Sequence, residues 1–367
     1  SEFDRISHRK ERSLMSTMEK VPTPAPRKPW APTPIDRTKT AGILAGAIVV
    51  SLAVLFVTPL SGKLAFAAVF FVAYLSIDFA VSFAKAGRAA AVDSVFRGLV
   101  TTAIAIAVMP IISILVTVWV RGHHGLHWTL FTKDMHSNSF TDPVSQGGLL
   151  HAIIGTFLLV FVAMIISVPI GILTALYLTE VRGRFTRPIE FLVQAMSGVP
   201  SIVAGLFIYA AILIPFTKTV NGFQGSLALA ILMIPTVART SQEVLKLIPE
   251  DLREAGVALG GTQWRSVALV VVPAARSGLI TAMILGVARV AGETAPILLL
   301  TGGSGTKNYN VFNGSLGSLP NYVWQAFSAG TPESITRAWA GILVLLVIVV
   351  ILFTAARILG NRKVGKK

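Results

Sequence analysis

Long uncharged apolar segments are the feature that most limits how this chain can fold. About 20 helical residues cross the roughly 30 Å hydrocarbon layer of a bilayer, and segments of about this length recur along the chain from residue 41 onward. Hydrophobic residues make up 53% of the sequence and charged residues 13%, which is not the composition of a soluble domain. The sequence therefore predicts an all-α, polytopic membrane protein that lies in the lipid bilayer.

Eight transmembrane spans are predicted from these segments. They are Ala41–Leu60, Leu64–Ala84, Phe96–Val120, Leu149–Leu178, Phe191–Phe216, Ser226–Ala238, Ser277–Leu300 and Ala338–Ile358. The sixth is short and contains Pro235, and we expect its helix to continue past the lipid into the polar sequence after Arg239. Residues 1–40 are polar and proline-rich and are predicted to form a disordered cytoplasmic tail.

The distribution of basic residues predicts the orientation of the chain. Lys and Arg are concentrated in the tail and in the loops on one side of the eight-span arrangement, and the positive-inside rule places that side, with both termini, in the cytoplasm. The net charge of +15 therefore reflects topology, and we expect no nucleic-acid partner because no basic domain with interleaved aromatic residues is present. The chain has no cysteine, and the histidines near residue 123 are predicted to lie in a solvated loop, so no metal site is expected.

A short amphipathic helix is predicted at about residues 248–261, between the sixth and seventh spans. Pro249 suits the first helical position, and the acidic residues that follow it favour the positive end of the helix dipole. Gly260 and Gly261 end the helix. Four residues are expected to share one face of it, namely Leu252, Ala255, Gly256 and Leu259.

This segment resembles the EAA loop of the permeases of ABC importers. The resemblance rests on Glu254, Ala255, Gly256, Gly260, Val270, Val272 and Pro273, with Gly256 replacing the usual second alanine. It implies the type I importer permease fold and a helix that docks on a separate ATPase through Leu252, Glu254, Ala255, Gly256, Leu259 and Gly260. ATP and Mg would then be bound by that partner, and no cofactor by this chain, in which Gly302–Lys307 lacks the spacing of a P-loop.

Further segments resemble the PstA-type phosphate permeases in particular. They are Ser197–Val203, Arg239–Thr240 and Ala288–Pro296. The resemblance implies a transport subunit in the bacterial inner membrane that works with a second, PstC-like permease, two ATP-binding subunits and an external phosphate-binding protein. Members of that family usually have six spans, so residues 85–363 are predicted to form the permease domain and residues 41–84 an additional transmembrane hairpin.

Arg289 is the predicted contact for inorganic phosphate, because a guanidinium at membrane depth is costly unless it has a function or a partner and matches a phosphate in a bidentate fork. Glu293, one helical turn further on, is the expected partner of Arg289. The hydroxyls of Thr294, Ser197 and Ser201 are expected to line the substrate path. The alternative is that Arg289 and Glu293 form a buried ion pair that only fixes helix packing.

Other functions remain open from the sequence. An importer of another oxyanion, such as molybdate or sulfate, would have the same architecture. An ion-coupled secondary transporter would be expected to contain inverted repeats, and none is evident. An intramembrane hydrolase would need a nucleophile with a base or paired carboxylates at membrane depth, and the sequence offers no such group, so we do not expect an enzyme.

Overall fold

The computed structural model describes residues 34–59, 61–258 and 260–360. Residues 1–33 of the predicted tail, Leu259 of the predicted docking face and the last seven residues lie outside this description. The chain forms two compact units, which divide between Ile111 and Ile112.

Helices dominate the described ranges. They are α1 (Pro34–Val57), α2 (Lys63–Gly122), α3 (Trp128–Thr132), α4 (Leu150–Leu176), α5 (Thr186–Ser197), α6 (Ser201–Ile208), α7 (Gly222–Lys246), α8 (Glu250–Ala258), α9 (Gln263–Ser266), α10 (Val272–Ala291), α11 (Ala295–Leu300), α12 (Leu319–Ala329) and α13 (Pro332–Gly360). Turns of π-helix extend α4 (Tyr177–Val181) and α6 (Tyr209–Thr217) and join α9 to α10 (Val267–Val271). The described part of the chain has no β structure beyond one isolated bridge.

The first unit is built from α1 and most of α2. Gly87 interrupts α2 with φ of 79°, a conformation that glycine adopts without steric cost, and the chain folds back so that Gly98 packs against Tyr74 and Leu75. Asp78 is buried in this unit and lies 3.9 Å from Arg97. The break at Gly87 therefore divides α2 into two antiparallel segments, which correspond to the second and third predicted spans.

The prediction of a multi-pass membrane protein is confirmed. Among the residues that the structure describes, six helices are long and apolar enough to cross a bilayer, and the pair α5 and α6 forms a further candidate that is bent by 106°. The membrane-spanning helices include α2, whose 60 residues exceed the length needed for one crossing.

Helix α7 is at the centre of the second unit. In its most apolar stretch 67% of the residues are buried, compared with 33% in α4, and its core residues Leu229, Met233 and Val237 pack with Leu159 of α4 and Val290 of α10. The helix continues past Pro235 to Lys246, as predicted. Its low hydropathy follows from this position, because a helix surrounded by protein needs little contact with lipid.

Two predicted spans are not continuous helices. The predicted span Phe191–Phe216 bends by 106° between α5 and α6, at a Gly-Val-Pro sequence in which Pro200 disfavours the helical conformation of the residue before it. The predicted span Ser277–Leu300 is interrupted at residues 292–294. Pro296 explains this break, since it cannot donate to the carbonyl four residues earlier and its ring would collide with that carbonyl.

The loops of the second unit gather at its two ends. At one end, Leu149 donates to the carbonyl of Leu130 and the amide of Leu319 donates to Thr156, so the predicted outer loops surround the start of α4. At the other end, Gln263 donates to the carbonyl of Glu180 at 2.6 Å. The turn after α4 and the segment around α8 therefore share the predicted inner end.

Candidate functional site

Arg289 near the end of α10 is linked to the middle of α7. Its Nη1 donates a hydrogen bond of 2.8 Å to Oγ1 of Thr236. Core packing between α7 and α10 holds the two helices together, with Gly286 of α10 close to Met233 and Val237 of α7. The hydroxyl of Thr236 therefore fixes the direction of the guanidinium.

This hydrogen bond lies well inside α7, a helix that is long and apolar enough to cross a bilayer. With a rise of 1.5 Å per residue, Thr236 is about 21 Å from the start of α7 and about 15 Å from its end. Arg289 is nevertheless exposed on the surface of the chain. A guanidinium that faces hydrocarbon costs several kcal/mol, so the surface that carries Arg289 must face water or another protein.

The predicted pairing of Arg289 with Glu293 is wrong. Helix α10 ends at Ala291, so Glu293 lies in the break before α11 and is not one helical turn from Arg289. Among the described residues, no ion pair joins the two side chains. The prediction from helical spacing failed because the helix break that Pro296 causes begins at Gly292, before Glu293.

The three predicted hydroxyls lie at the two helix interruptions. Ser197 ends α5, Ser201 begins α6 and Thr294 precedes α11. The structure packs α6 on α11, since a Cβ added at Gly205 would lie 2.8 Å from Cα of Pro296. Within the described ranges, none of the three hydroxyls is hydrogen-bonded to Arg289. The Ser197 hydroxyl donates to the carbonyl of Val193 at 2.8 Å, and Oγ1 of Thr294 lies 3.5 Å from the carbonyl oxygen of Gly292.

The short helix predicted around residue 254 is present as α8, and it has no buried residue. Leu252, Glu254 and Ala255 are exposed, as is Gly260, where the chain turns with φ of 81°. Gly256 departs from the predicted face, because a Cβ there would collide with Oγ of Ser266 and lie 3.0 Å from its Cβ. Gly256 therefore packs against Ser266 of the same chain, while Leu252 and Ala255 remain available to a partner.

Two charged residues at the predicted inner end form a contact that the sequence did not predict. Arg253 of α8 forms hydrogen bonds of 3.1 to 3.3 Å with both carboxylate oxygens of Glu180. The side chain of Glu180 is only 7% exposed. The sequence contains two features that could have indicated this pair. Glu180 is a single carboxylate at the polar end of the fourth predicted span, and Arg253 directly precedes Glu254 and Ala255.

Comparison with known proteins identifies the family. Residues 167–365 match the family described as binding-protein-dependent transport system inner membrane component. The chain is 38% identical to a phosphate transport system permease protein PstA of Mycobacterium leprae over 267 residues, which are 71% of this chain and 87% of that protein. It is 35% identical to PstA 1 of Mycobacterium tuberculosis (70% and 84% covered) and 37% identical to PstA of Pasteurella multocida (65% and 90% covered). The chain belongs to the family of inner membrane components of binding-protein-dependent transport systems.

Proposed function

We propose that this chain is the permease subunit of an ATP-driven importer of inorganic phosphate, with Arg289 as a phosphate contact on the translocation path. The observation that carries the proposal is an exposed guanidinium within the predicted span Ser277–Leu300, held by a neutral hydroxyl at 2.8 Å. The names of the relatives from Mycobacterium and Pasteurella support phosphate as the substrate.

The neutral partner favours anion binding. A carboxylate beside Arg289 would cancel much of its attraction for an oxyanion, whereas the Thr236 hydroxyl accepts one N–H and leaves the positive charge uncompensated. The remaining N–H groups of the guanidinium can then form the bidentate contact for which arginine is suited. Ser197, Ser201 and Thr294 are expected to offer hydroxyls at the helix interruptions along the same path.

Helix α8 is the expected docking site of the ATPase. Its exposed residues Leu252, Glu254 and Ala255 project from the predicted inner end, where a soluble ATP-binding subunit can reach them. ATP and Mg would be bound by that subunit, so this chain drives no chemistry itself. Gly260, at the turn after α8, positions the helix for this contact.

The expected assembly follows from the exposed surface around Arg289. A second, PstC-like permease would cover that surface and complete the path between the two subunits, two ATP-binding subunits would bind at the inner end, and an external phosphate-binding protein would deliver the anion. The inner end and both termini would lie in the cytoplasm of a bacterial cell.

The test is transport by the reconstituted complex of this chain with its partner subunits. Phosphate, sulfate and molybdate uptake are measured for the wild-type complex and for Arg289→Gln and Arg289→Lys. We expect phosphate uptake, which is lost in Arg289→Gln and partly retained in Arg289→Lys because an ammonium lacks the planar fork. Arg276→Gln is the matched control, since Arg276 is also exposed on α10 but lies more than three turns from Arg289.

Two results would contradict the proposal. Uptake of sulfate or molybdate without phosphate would assign the complex to another oxyanion. Normal phosphate uptake by Arg289→Gln would place the substrate path elsewhere in the bundle.

A further inference from the structure

Arg253 joins three elements at the inner end of the second unit. Besides its contacts with Glu180 at the end of α4, its Nη1 donates to the carbonyl of Ile248 at 2.7 Å and its Nη2 to the carbonyl of Leu245 at 2.8 Å. Leu245 lies in the last turn of α7, where helical carbonyls lack partners within the helix, and Ile248 lies in the turn that follows α7. One side chain of α8 therefore binds the ends of α4 and α7 at once.

The surrounding contacts strengthen this junction. Gln263 donates to the carbonyl of Glu180 at 2.6 Å, and Ser266 donates to the carbonyl of Arg253 at 3.3 Å. The Arg253 side chain is 23% exposed and that of Glu180 7%, so solvent screens the pair only partly. Removing one member of such a pair leaves a charge that is both desolvated and unpaired.

Helix α8 depends on this junction for its attachment. None of its residues is buried, and the described side chains of α8 other than Arg253 and Gly256 are exposed. The contacts of Arg253 and Gly256 therefore join α8 to the bundle, together with the chain segments on either side of the helix.

The junction is also connected to the proposed substrate contact. Leu245, which accepts from Arg253, and Thr236, which accepts from Arg289, lie nine residues apart on α7, a distance of about 13 Å along a helix. Because α7 is continuous between them, a movement of its inner end is expected to shift the hydroxyl that orients Arg289.

We propose that Glu180 and Arg253 are positioning residues that transmit the displacement of α8 to α4 and α7, and through Thr236 of α7 to Arg289. This inference rests on the proposed function as an ATP-driven importer. Loss of the junction uncouples ATP hydrolysis from transport: the ATPase still docks on the exposed face of α8, but its motion no longer reaches the substrate path.

The experiment compares substrate transported with ATP hydrolysed in proteoliposomes that contain the intact complex. Glu180→Gln keeps the shape and one acceptor oxygen but removes the charge, and Arg253→Lys keeps the charge but cannot hold both carboxylate oxygens and two carbonyls together. We expect each to lower the phosphate transported per ATP by about tenfold or more, because Glu180→Gln removes the partly buried ion pair and Arg253→Lys removes hydrogen bonds that join α8 to α4 and α7, while the ATPase subunits still co-purify.

The matched control is the ion pair of Lys246 and Glu243 at the same end of α7, which is 2.8 Å long and more than half exposed, with side chains 52% and 70% exposed. Glu243→Gln and Lys246→Gln should leave the ratio unchanged, since exposed pairs contribute little. Normal ratios in both Glu180→Gln and Arg253→Lys would overturn the proposal. Failure of both variants to assemble with the ATPase would also overturn it, since the junction would then serve folding alone.

The wild-type complex separates this proposal from the proposed substrate. If it accumulates sulfate or molybdate and no phosphate, the substrate assignment fails, and the ratio of transport to hydrolysis is then measured with that anion. The proposal for the junction is wrong only if the ratio of transport to ATP hydrolysis is unchanged in both the Glu180 and the Arg253 variants, or if both variants fail to assemble with the ATPase.

Discussion

The hydroxyl of Thr236 fixes the direction of the Arg289 guanidinium, although no feature of the sequence around Thr236 identifies it as a partner of Arg289. Its hydroxyl accepts from Nη1 at 2.8 Å, and the contact joins residues that are 53 positions apart. Sequence spacing can propose partners one turn apart on a helix, but it cannot identify a partner on a neighbouring helix. This is why Glu293 was predicted and Thr236 was not.

The first prediction concerns this hydroxyl. Thr236→Val preserves the shape of the side chain and removes the acceptor, so the guanidinium should lose its fixed direction while the helices remain packed. A hydrogen bond to a charged group contributes about 1.5 to 3 kcal/mol, and we expect the rate of phosphate uptake to fall by about tenfold or more. Uptake into proteoliposomes at saturating binding protein is the measurement.

Thr236→Ser is the companion variant, because it keeps the oxygen and loses only a methyl group. It should transport at close to the wild-type rate. Equal rates for the valine and serine variants would show that the hydroxyl has no part in orienting Arg289.

The second prediction concerns Gly256, where ABC-importer EAA loops usually carry alanine. Gly256→Ala would place a Cβ against Oγ of Ser266, and overpacking of this kind costs about 1 to 3 kcal/mol. We expect α8 to be displaced, with less ATPase co-purified and less phosphate transported. Adding Ser266→Ala removes the colliding oxygen and should restore part of the ATPase co-purification and part of the phosphate transport.

Wild-type behaviour of Gly256→Ala alone would show that the position tolerates a Cβ. Absence of recovery on adding Ser266→Ala would also contradict the prediction, since the close approach of Ser266 would then not be the reason for the glycine.

Among the elements, α7 and α8 show what can be predicted from sequence. The end of α8 is marked by two glycines, and the extension of α7 past Pro235 follows from the polar helical sequence beyond Arg239. The interruptions of the fifth and seventh predicted spans were not predicted. Apolar composition reports only that a segment is hydrophobic, and both sides of each break are apolar.

The third prediction concerns the packing of the two interrupted spans. Gly205 of α6 approaches Pro296 of α11 so closely that an added Cβ would lie 2.8 Å from backbone, which cannot rotate away. Gly205→Ala should therefore separate α6 from α11, at a cost of about 1 to 3 kcal/mol, and lower the melting temperature of the purified complex.

Gly198→Ala is the matched control at the bend before α6. Its nearest neighbour would be the carbonyl oxygen of Ala195 at 3.6 Å, an ordinary contact. The melting temperature of this variant should stay close to that of the wild type. If the two substitutions shift the melting temperature equally, the packing of α6 on α11 is not what Gly205 permits.

At the scale of the whole molecule, the sidedness of the chain is the central expectation. The fold places residues 126–149 and 301–319 at one end of the second unit and residues 177–186 and 246–266 at the other. Only the distribution of Lys and Arg indicates which end faces the cytoplasm. The proposal that α8 meets an ATPase requires that α8 lie on the cytoplasmic side.

The last prediction tests that sidedness with single cysteines, which the chain lacks. Ser139 and Thr306 are exposed at the predicted outer end, and Arg184 and Glu254 are exposed at the predicted inner end. A membrane-impermeant thiol reagent added to intact cells should label Ser139→Cys and Thr306→Cys, while Arg184→Cys and Glu254→Cys should react only after the membrane is opened. All four side chains are exposed on this chain, so when it is expressed without its partner subunits a difference between them reports the membrane. Labelling of Glu254→Cys from outside would place α8 beyond the reach of a cytoplasmic ATPase, and both the docking of the ATPase on α8 and the transmission through Arg253 would then be wrong.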